Sequence, residues 1–321
     1  MSELSKSYLS VHYGLRPSKQ VERRMIIDAF QLLTESGFII RKYKYVGMGS
    51  IHFIDFSMFH KYFGISDMLS VEASEDIDNR IIFNTPYKNV VQTKTGEFIG
   101  DAIADLDSER SHFLWLDYDD VICDFMIRDL IYAITTLRSS SILLFTVDTE
   151  PPKRNAGTDS YETRQQTQEY YYSVASKYLA SDMQTDDFSY DNLHHINIRV
   201  IANAIQSSMN STDRKFHPIF NFIYKDGHRM LTIGGMVVDS TDEEKLKNSP
   251  VFDANYARKS FDDQPFYINV PKLTRREQIL LDSFMPCEDG WKPDEFEISI
   301  DDVKAYKDIY RFFPSYAELF I

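Results

Sequence analysis

The chain has 321 residues, 43% hydrophobic and 26% charged, enough apolar material for one large globular core with appendages. Its net charge of −14 speaks against a broad electrostatic grip on nucleic acid, and no apolar run approaches the roughly 20 residues of a membrane helix. A polar Met1–Leu9 start and two distant cysteines, Cys123 and Cys287, argue against a secretory leader and a disulfide framework, so a cytoplasmic location is expected.

The charge is uneven. Residues 1–44 hold eight Lys/Arg against four acids, a net of +4 that leaves −18 for the remainder. The segment reads first as a solvated helix face that also pairs with the acidic body, and second as a local basic patch able to hold a phosphate or nucleic acid. Pro17-Ser18 followed by Val21, Met25, Ala29, Leu32 and Leu33 has helical spacing, and Gly37 supplies a stop. Residues 43–46 then form a short strand, Gly47-Met48-Gly49-Ser50 a tight turn, and 51–63 a helix ended by Gly64. Strands at 68–71 (running into Glu72), 89–93, 112–116 and 141–147 alternate with helices at 76–83, 98–106 and 125–137. This alternation predicts βαβ units with right-handed crossovers and a parallel sheet.

Beyond Thr149 the pattern changes. Residues 150–159 are a Pro/Gly/polar loop, 161–181 and 191–209 are helices, and 216–224 with 229–238 are apolar runs around Asp226-Gly227, a hairpin. From Ser240 follow an acidic helix, an aromatic strand at 266–270, a helix at 274–283 and a linker-like loop at 286–293. The expected fold is α/β and Rossmann-like: a mostly parallel sheet closed by an antiparallel hairpin over 45–240, with a helical lead-in at 1–44 and a C-terminal appendage at 241–321.

In such sheets ligands sit beyond the carboxyl ends of the strands. There the sequence delivers Gly47, Met48, Gly49 and Ser50 after the first strand, Glu72 after the second and Thr95-Gly96-Glu97 after the third. The fourth ends in Asp117-Tyr118-Asp119-Asp120 and the fifth in Asp148-Thr149-Glu150. Gly47 and Gly49 permit a tight turn and close backbone approach, and the helix after them offers unpaired N–H groups. Glu72, 23 residues beyond Gly49, stands about where an acid would bind ribose hydroxyls. The bland alternative is a plain turn with a solvated strand end, and an Asp cluster that caps the next helix. His194-His195 share no common ligand direction, His52 and His60 lie too far apart for one metal, and His112 and His228 have no partner nameable from the sequence.

The order Tyr45-Val46-Gly47-Met48-Gly49-Ser50, Ser70-Val71-Glu72, Gly96-Glu97 and Leu114-Trp115-Leu116-Asp117-Tyr118-Asp119 resembles the class I S-adenosylmethionine-dependent methyltransferases. Leu15-Arg16-Pro17-Ser18-Lys19-Gln20-Val21-Glu22-Arg23-Arg24 is similar to the lead-in of a bacterial group classed as O-methyltransferases, and the resemblance spans about residues 12–240. It implies S-adenosyl-L-methionine as cofactor, with the Gly47–Ser50 turn (Met48 included) at its methionine part, Glu72 at the ribose, Glu97 near the adenine and Asp117 beside the transferred methyl group. Asp117, Asp119 and Asp148 become candidate bases, and Arg16, Lys19 and Tyr118 candidate contacts to an acceptor that the sequence does not name.

Methyl transfer needs a near-attack geometry and sometimes a base. A metal-assisted variant would draw on carboxylates at the ends of the fourth and fifth strands, but the rest of a ligand set is not evident, so no metal is expected. The usual acid before the first Gly and the usual third Gly are missing; Lys44-Tyr45-Val46 and Ile51 stand there. That departure supports a second reading, a methyltransferase-like binding or regulatory subunit without transfer activity. Nucleic-acid modification ranks third, because Asp117-Tyr118-Asp119-Asp120 is not the Pro-Pro-aromatic pattern of amino-methylating DNA enzymes. A protein partner or second copy could meet the C-terminal appendage, and no membrane contact is expected.

Overall fold

The computed structural model describes residues 16–73, 78–152 and 159–314. Most of the predicted 150–159 loop, the start of the predicted 76–83 helix and the residues before Arg16 lie outside them.

Helix α1 (Pro17–Glu35) precedes an alternation of β1 (Lys44–Gly47), α2 (Ile54–Phe63), β2 (Met68–Glu72), α3 (Asp78–Asn84), β3 (Val91–Thr95), α4 (Ile99–Ala104), β4 (His112–Val121), α5 (Asp124–Thr136) and β5 (Ser141–Asp148). Helices α6 (Tyr161–Ala175) and α7 (Leu193–Met209) lead to the hairpin β6 (Lys215–Asp226) and β7 (His228–Val238). The chain closes with α8 (Ser240–Lys247), β8 (Phe266–Ile268), α9 (Arg275–Asp282) and α10 (Ile300–Ile309).

All eight strands form one sheet in the order β3-β2-β1-β4-β5-β7-β6-β8. Only β7 runs against its neighbours. The chain builds outward from β1 to β3, then returns to place β4 on the other side of β1, so a topological switch lies between β1 and β4. This is the Rossmann-like sheet closed by a hairpin that the sequence predicted.

Alternating side chains divide the core. One face joins α1, α2 and the C-terminal residues through Phe30, Tyr45, Phe59, Phe113 and Trp115; the other packs α4 to α7 on Val46, Leu114, Leu116 and Phe145. The region after residue 240 enters both the sheet and the core. Strand β8 pairs in parallel with β6, and Leu246, Val251, Tyr256, Ile309 and Phe312 are buried in the α1 cluster.

Two boundaries differ from expectation in ways that matter below. Strand β4 does not stop at Leu116. It continues to Val121 across a bulge, pairing Asp117 with Thr146 and then Val121 with Asp148. Helix α2 starts three residues later than predicted, because Ser50 and Phe53 adopt left-handed backbones (φ 49° and 47°) and the Phe53 amide closes a turn on the Gly49 carbonyl at 3.0 Å. The predicted 161–181 helix ends at Ala175 and gives way to a 3-10 turn at Ser176–Tyr178.

Two buried imidazoles make the fold acid-sensitive. Burial, with Lys44 and Arg110 nearby, pushes His112 down to about 4; burial, with His195 and Arg229, does the same to His194. Both are protonated in the unfolded chain at a higher pH than in the folded one, so their contribution is complete above about 6.5 and is lost as pH falls toward 4. The free energy of unfolding should therefore drop across that window by a few kcal/mol, read as falling urea midpoints, and His112→Gln should flatten the dependence. An unchanged slope in that variant would remove His112 from the account.

Candidate functional site

The carboxyl ends of β1, β2, β4 and β5 lie at one edge, around the switch point. The β1 turn is pressed tightly into the body. A Cβ on Gly47 would sit 2.5 Å from the Tyr45 hydroxyl, and one on Gly49 would sit 2.4 Å from Ser70 Oγ and 2.8 Å from the Phe53 ring. Glycine is required at both places for closeness, not for dihedral freedom. Met48 packs partly on the α4–α7 face, while Ile51, where a third glycine was absent, is buried in the aromatic cluster of the other face. Beside the turn, the hydroxyls of Ser50 and Ser70 are buried and, among the described residues, have no hydrogen-bond partner. Buried polar groups ordinarily find one, which sets this pair apart.

Glu72 closes β2, half-buried, one strand from the turn. Glu97 stands farther out, past the edge strand β3, where its carboxylate pairs with Lys94 at 2.9 Å.

At the end of β4 the structure revises the reading of the N-terminal segment. Lys19, Glu22 and Arg23 are not a solvated face; each is at most 2% exposed. Lys19 Nζ lies 2.9 Å from Asp117, 2.9 Å from Glu22 and 3.1 Å from the Tyr224 hydroxyl, and 4.4 Å above the Trp115 ring. Arg23 grips Asp55 of α2 through two bonds of 2.6 and 3.1 Å. The start of α1 is fixed by the hairpin, since Asp226 accepts the backbone amides of Ser18 and Lys19 at 3.1 and 2.9 Å, with Arg16 4.0 Å away. A carboxylate from 200 residues downstream thus serves as the helix's N-terminal cap.

The charges in this cluster have separate fates. Burial alone would raise the Asp117 carboxyl, but Lys19, backed by Arg16 and Arg23, holds it below the usual carboxylate range. Glu22 moves the other way, because burial and the Asp117 charge outweigh its share of Lys19. Burial opposes the Lys19 charge, yet Asp117 and Glu22 more than restore it. Asp117 is therefore ionised and paired, a condition that makes it a weak base.

The other predicted residues separate. Tyr118 turns to the opposite face, buried, and donates to Asp129 at 2.7 Å. Asp119 lies exposed in the bulged end of β4. Asp148 is fully buried; it accepts the Glu150 amide at 2.7 Å and lies 3.5 Å from His228 Nδ1. His228 also lies 3.3 Å from Glu150 Oε2, and its side chain is 45% exposed. Sequence reasoning gave His228 no partner. The available signal was its place just after the Asp226-Gly227 turn, which sets it beside the end of whichever strand the hairpin joins.

Among the described residues, no cluster of His, Cys, Asp or Glu has the geometry to hold a metal ion, and no helix is long and apolar enough to cross a membrane.

Residues 11–321 match the family described as "Putative O-methyltransferase". No curated protein matches the sequence. Among solved structures, Trm1 from Pyrococcus horikoshii, determined with S-adenosyl-L-methionine, aligns at 13% identity and a TM-score of 0.45 over 89% of this chain and 76% of its own. The fibrillarin pre-rRNA processing protein of Methanococcus jannaschii aligns at 10% and 0.35 over 63% and 69%. A "putative O-methyltransferase" from Klebsiella pneumoniae aligns at 10% and 0.35 over 72% and 94%.

Proposed function

The chain belongs to the "Putative O-methyltransferase" family, and we propose that it moves the methyl group of S-adenosyl-L-methionine to an oxygen acceptor at the carboxyl edge of its sheet. The observation that carries this reading is the juxtaposition at the switch point: the Gly47–Ser50 turn with two unsatisfied buried hydroxyls, and Glu72 one strand away. These residues suit the cofactor's two polar ends. Backbone amides of the turn, with Ser50 and Ser70, would meet the amino-acid part, and the Glu72 carboxylate would accept from ribose hydroxyls. When bound, the sulfonium supplies an electrophilic methyl carbon. The protein's share is to orient the acceptor, exclude water and take up a proton. Two unpaired cysteines suit the cytoplasm, where we place the activity.

Calorimetry with S-adenosyl-L-methionine and S-adenosylhomocysteine tests the reading. Binding of either is expected, and Glu72→Ala should weaken it roughly 10- to 100-fold, the worth of a charge-assisted hydrogen bond pair. Silence from both ligands at millimolar concentration would overturn it.

A further inference from the structure

The methyl-transfer reading leaves the proton acceptor unassigned, and the three carboxylates named from the sequence are poorly suited. Asp117 is neutralised by Lys19, Asp148 has no exposed surface, and Asp119 stands out in the bulge. The hairpin brings a better group to the same edge. Register pairs Asp148 with Met230, and the contact continues through the Thr149 amide, which donates to the Arg229 carbonyl at 2.8 Å, so His228 stands beside the end of β5. Its Nδ1 faces Glu150 at 3.3 Å and Asp148 at 3.5 Å.

Resting on that reading, we propose that His228, oriented by Asp148 and Glu150, is the general base that deprotonates the acceptor hydroxyl. Carboxylates only accept hydrogen bonds, so the neutral imidazole facing them carries its proton on Nδ1, and Nε2 keeps its lone pair. Nearly half the side chain is exposed, at the carboxyl edge beside the end of β5. As the acceptor oxygen bonds to the methyl carbon, the carbon–sulfur bond breaks with its electron pair left on sulfur. The hydroxyl proton passes to His228 Nε2, and the resulting imidazolium is stabilised by the two carboxylates before releasing the proton to solvent. The remaining charges nearby are directed elsewhere: Arg229 turns to Thr149 and stacks on Tyr190, Asp226 holds the start of α1, and Lys225 reaches the Tyr190 hydroxyl. A base of this type is needed for a phenol or alcohol, and is superfluous for a carboxylate acceptor, which is already ionised at neutral pH. The acceptor class is therefore hydroxylic.

The test uses the whole protein and S-adenosylhomocysteine as probe. In long-range proton–nitrogen spectra of histidine-labelled protein, neutral His228 should show the Nδ1–H tautomer, and Glu150→Ala should shift it toward Nε2–H. Diethyl pyrocarbonate should modify His228, and saturating S-adenosylhomocysteine should slow that modification about tenfold by narrowing access to the sheet edge where His228 stands, the worth of roughly 1.4 kcal/mol of protection. His228→Asn should bind S-adenosylhomocysteine as the unaltered protein does, since the residue holds a proton and not the cofactor. Binding without protection, or a dominant Nε2–H tautomer, overturns His228 as the base and leaves methyl transfer standing. Failure of the unaltered protein to bind the probe overturns both together.

Discussion

Replacing Lys19 by methionine is expected to cost the fold about 3–5 kcal/mol, the penalty for leaving a buried charge without its partner. One ammonium serves two carboxylates, Asp117 and Glu22, and nothing else among the described residues lies as close to either with a positive charge. Methionine keeps most of the side chain's length and its contact with Trp115, so the loss isolates charge from packing. The urea midpoint should fall with an unchanged slope. The pH dependence should also invert locally. Without Lys19 the Asp117 carboxyl titrates above its unfolded value, so the variant gains relative stability below about 4 and loses it as pH rises. Lys19→Met combined with Asp117→Asn should regain much of the stability. A drop under about 1 kcal/mol would mean that the cluster is hydrated enough to dispense with its cation.

The second large effect is expected at Gly49. An alanine there puts a methyl group 2.4 Å from Ser70 Oγ and 2.8 and 2.9 Å from two atoms of the Phe53 ring. Phe53 is 1% exposed and packs edge-on to Phe56, so the ring has little room to yield. Overpacking of this kind costs about 1–3 kcal/mol, and the turn must move to relieve it. Affinity for S-adenosylhomocysteine should consequently fall at least about tenfold. Adding Ser70→Ala removes one of the two obstructions and should restore part of the stability. Gly64→Ala is the control: no atom lies within 4 Å, but φ is +66°, so it should cost about 1 kcal/mol through backbone strain alone and leave binding intact. Equal effects on binding from both variants would show that Gly49 acts only through global stability.

The sequence made the βαβ half readable because its signals are local. Apolar runs such as Ile142–Phe145 alternate with amphipathic stretches, and Gly37 and Gly64 fall where helices end. The end of β4 was not readable that way. Asp-Tyr-Asp-Asp has the composition of a loop, and it continues as strand because Asp117 has Thr146 alongside and the bulge absorbs two extra residues. Lys19 and Glu22 failed for a related reason. Charges three apart on a helix look solvated unless one knows that β4 brings a carboxylate underneath and α2 brings Asp55 to Arg23. His228 was the deepest omission, since its partner Glu150 is 78 residues away and the contact exists only once β7 pairs with β5. Gly47, Gly49 and Glu72 stood out because a turn and a strand end can be seen one element at a time; the surroundings of His228 could not.

The cap on α1 has a consequence for how the molecule is made. Asp226 holds the amides of Ser18 and Lys19 across 207–208 positions of chain, so this helix, the first of the described residues, receives its cap only after those positions have been synthesised. Until then its apolar stripe of Val21, Met25, Ile26, Ala29 and Phe30 is covered by α2 and the early strands, without the hairpin. Closing so long a loop is slow in entropy terms, and the contacts that reward it arrive last. Docking of α1 on the hairpin is therefore expected to come late in folding, with the Lys19–Asp117 pair completed after it.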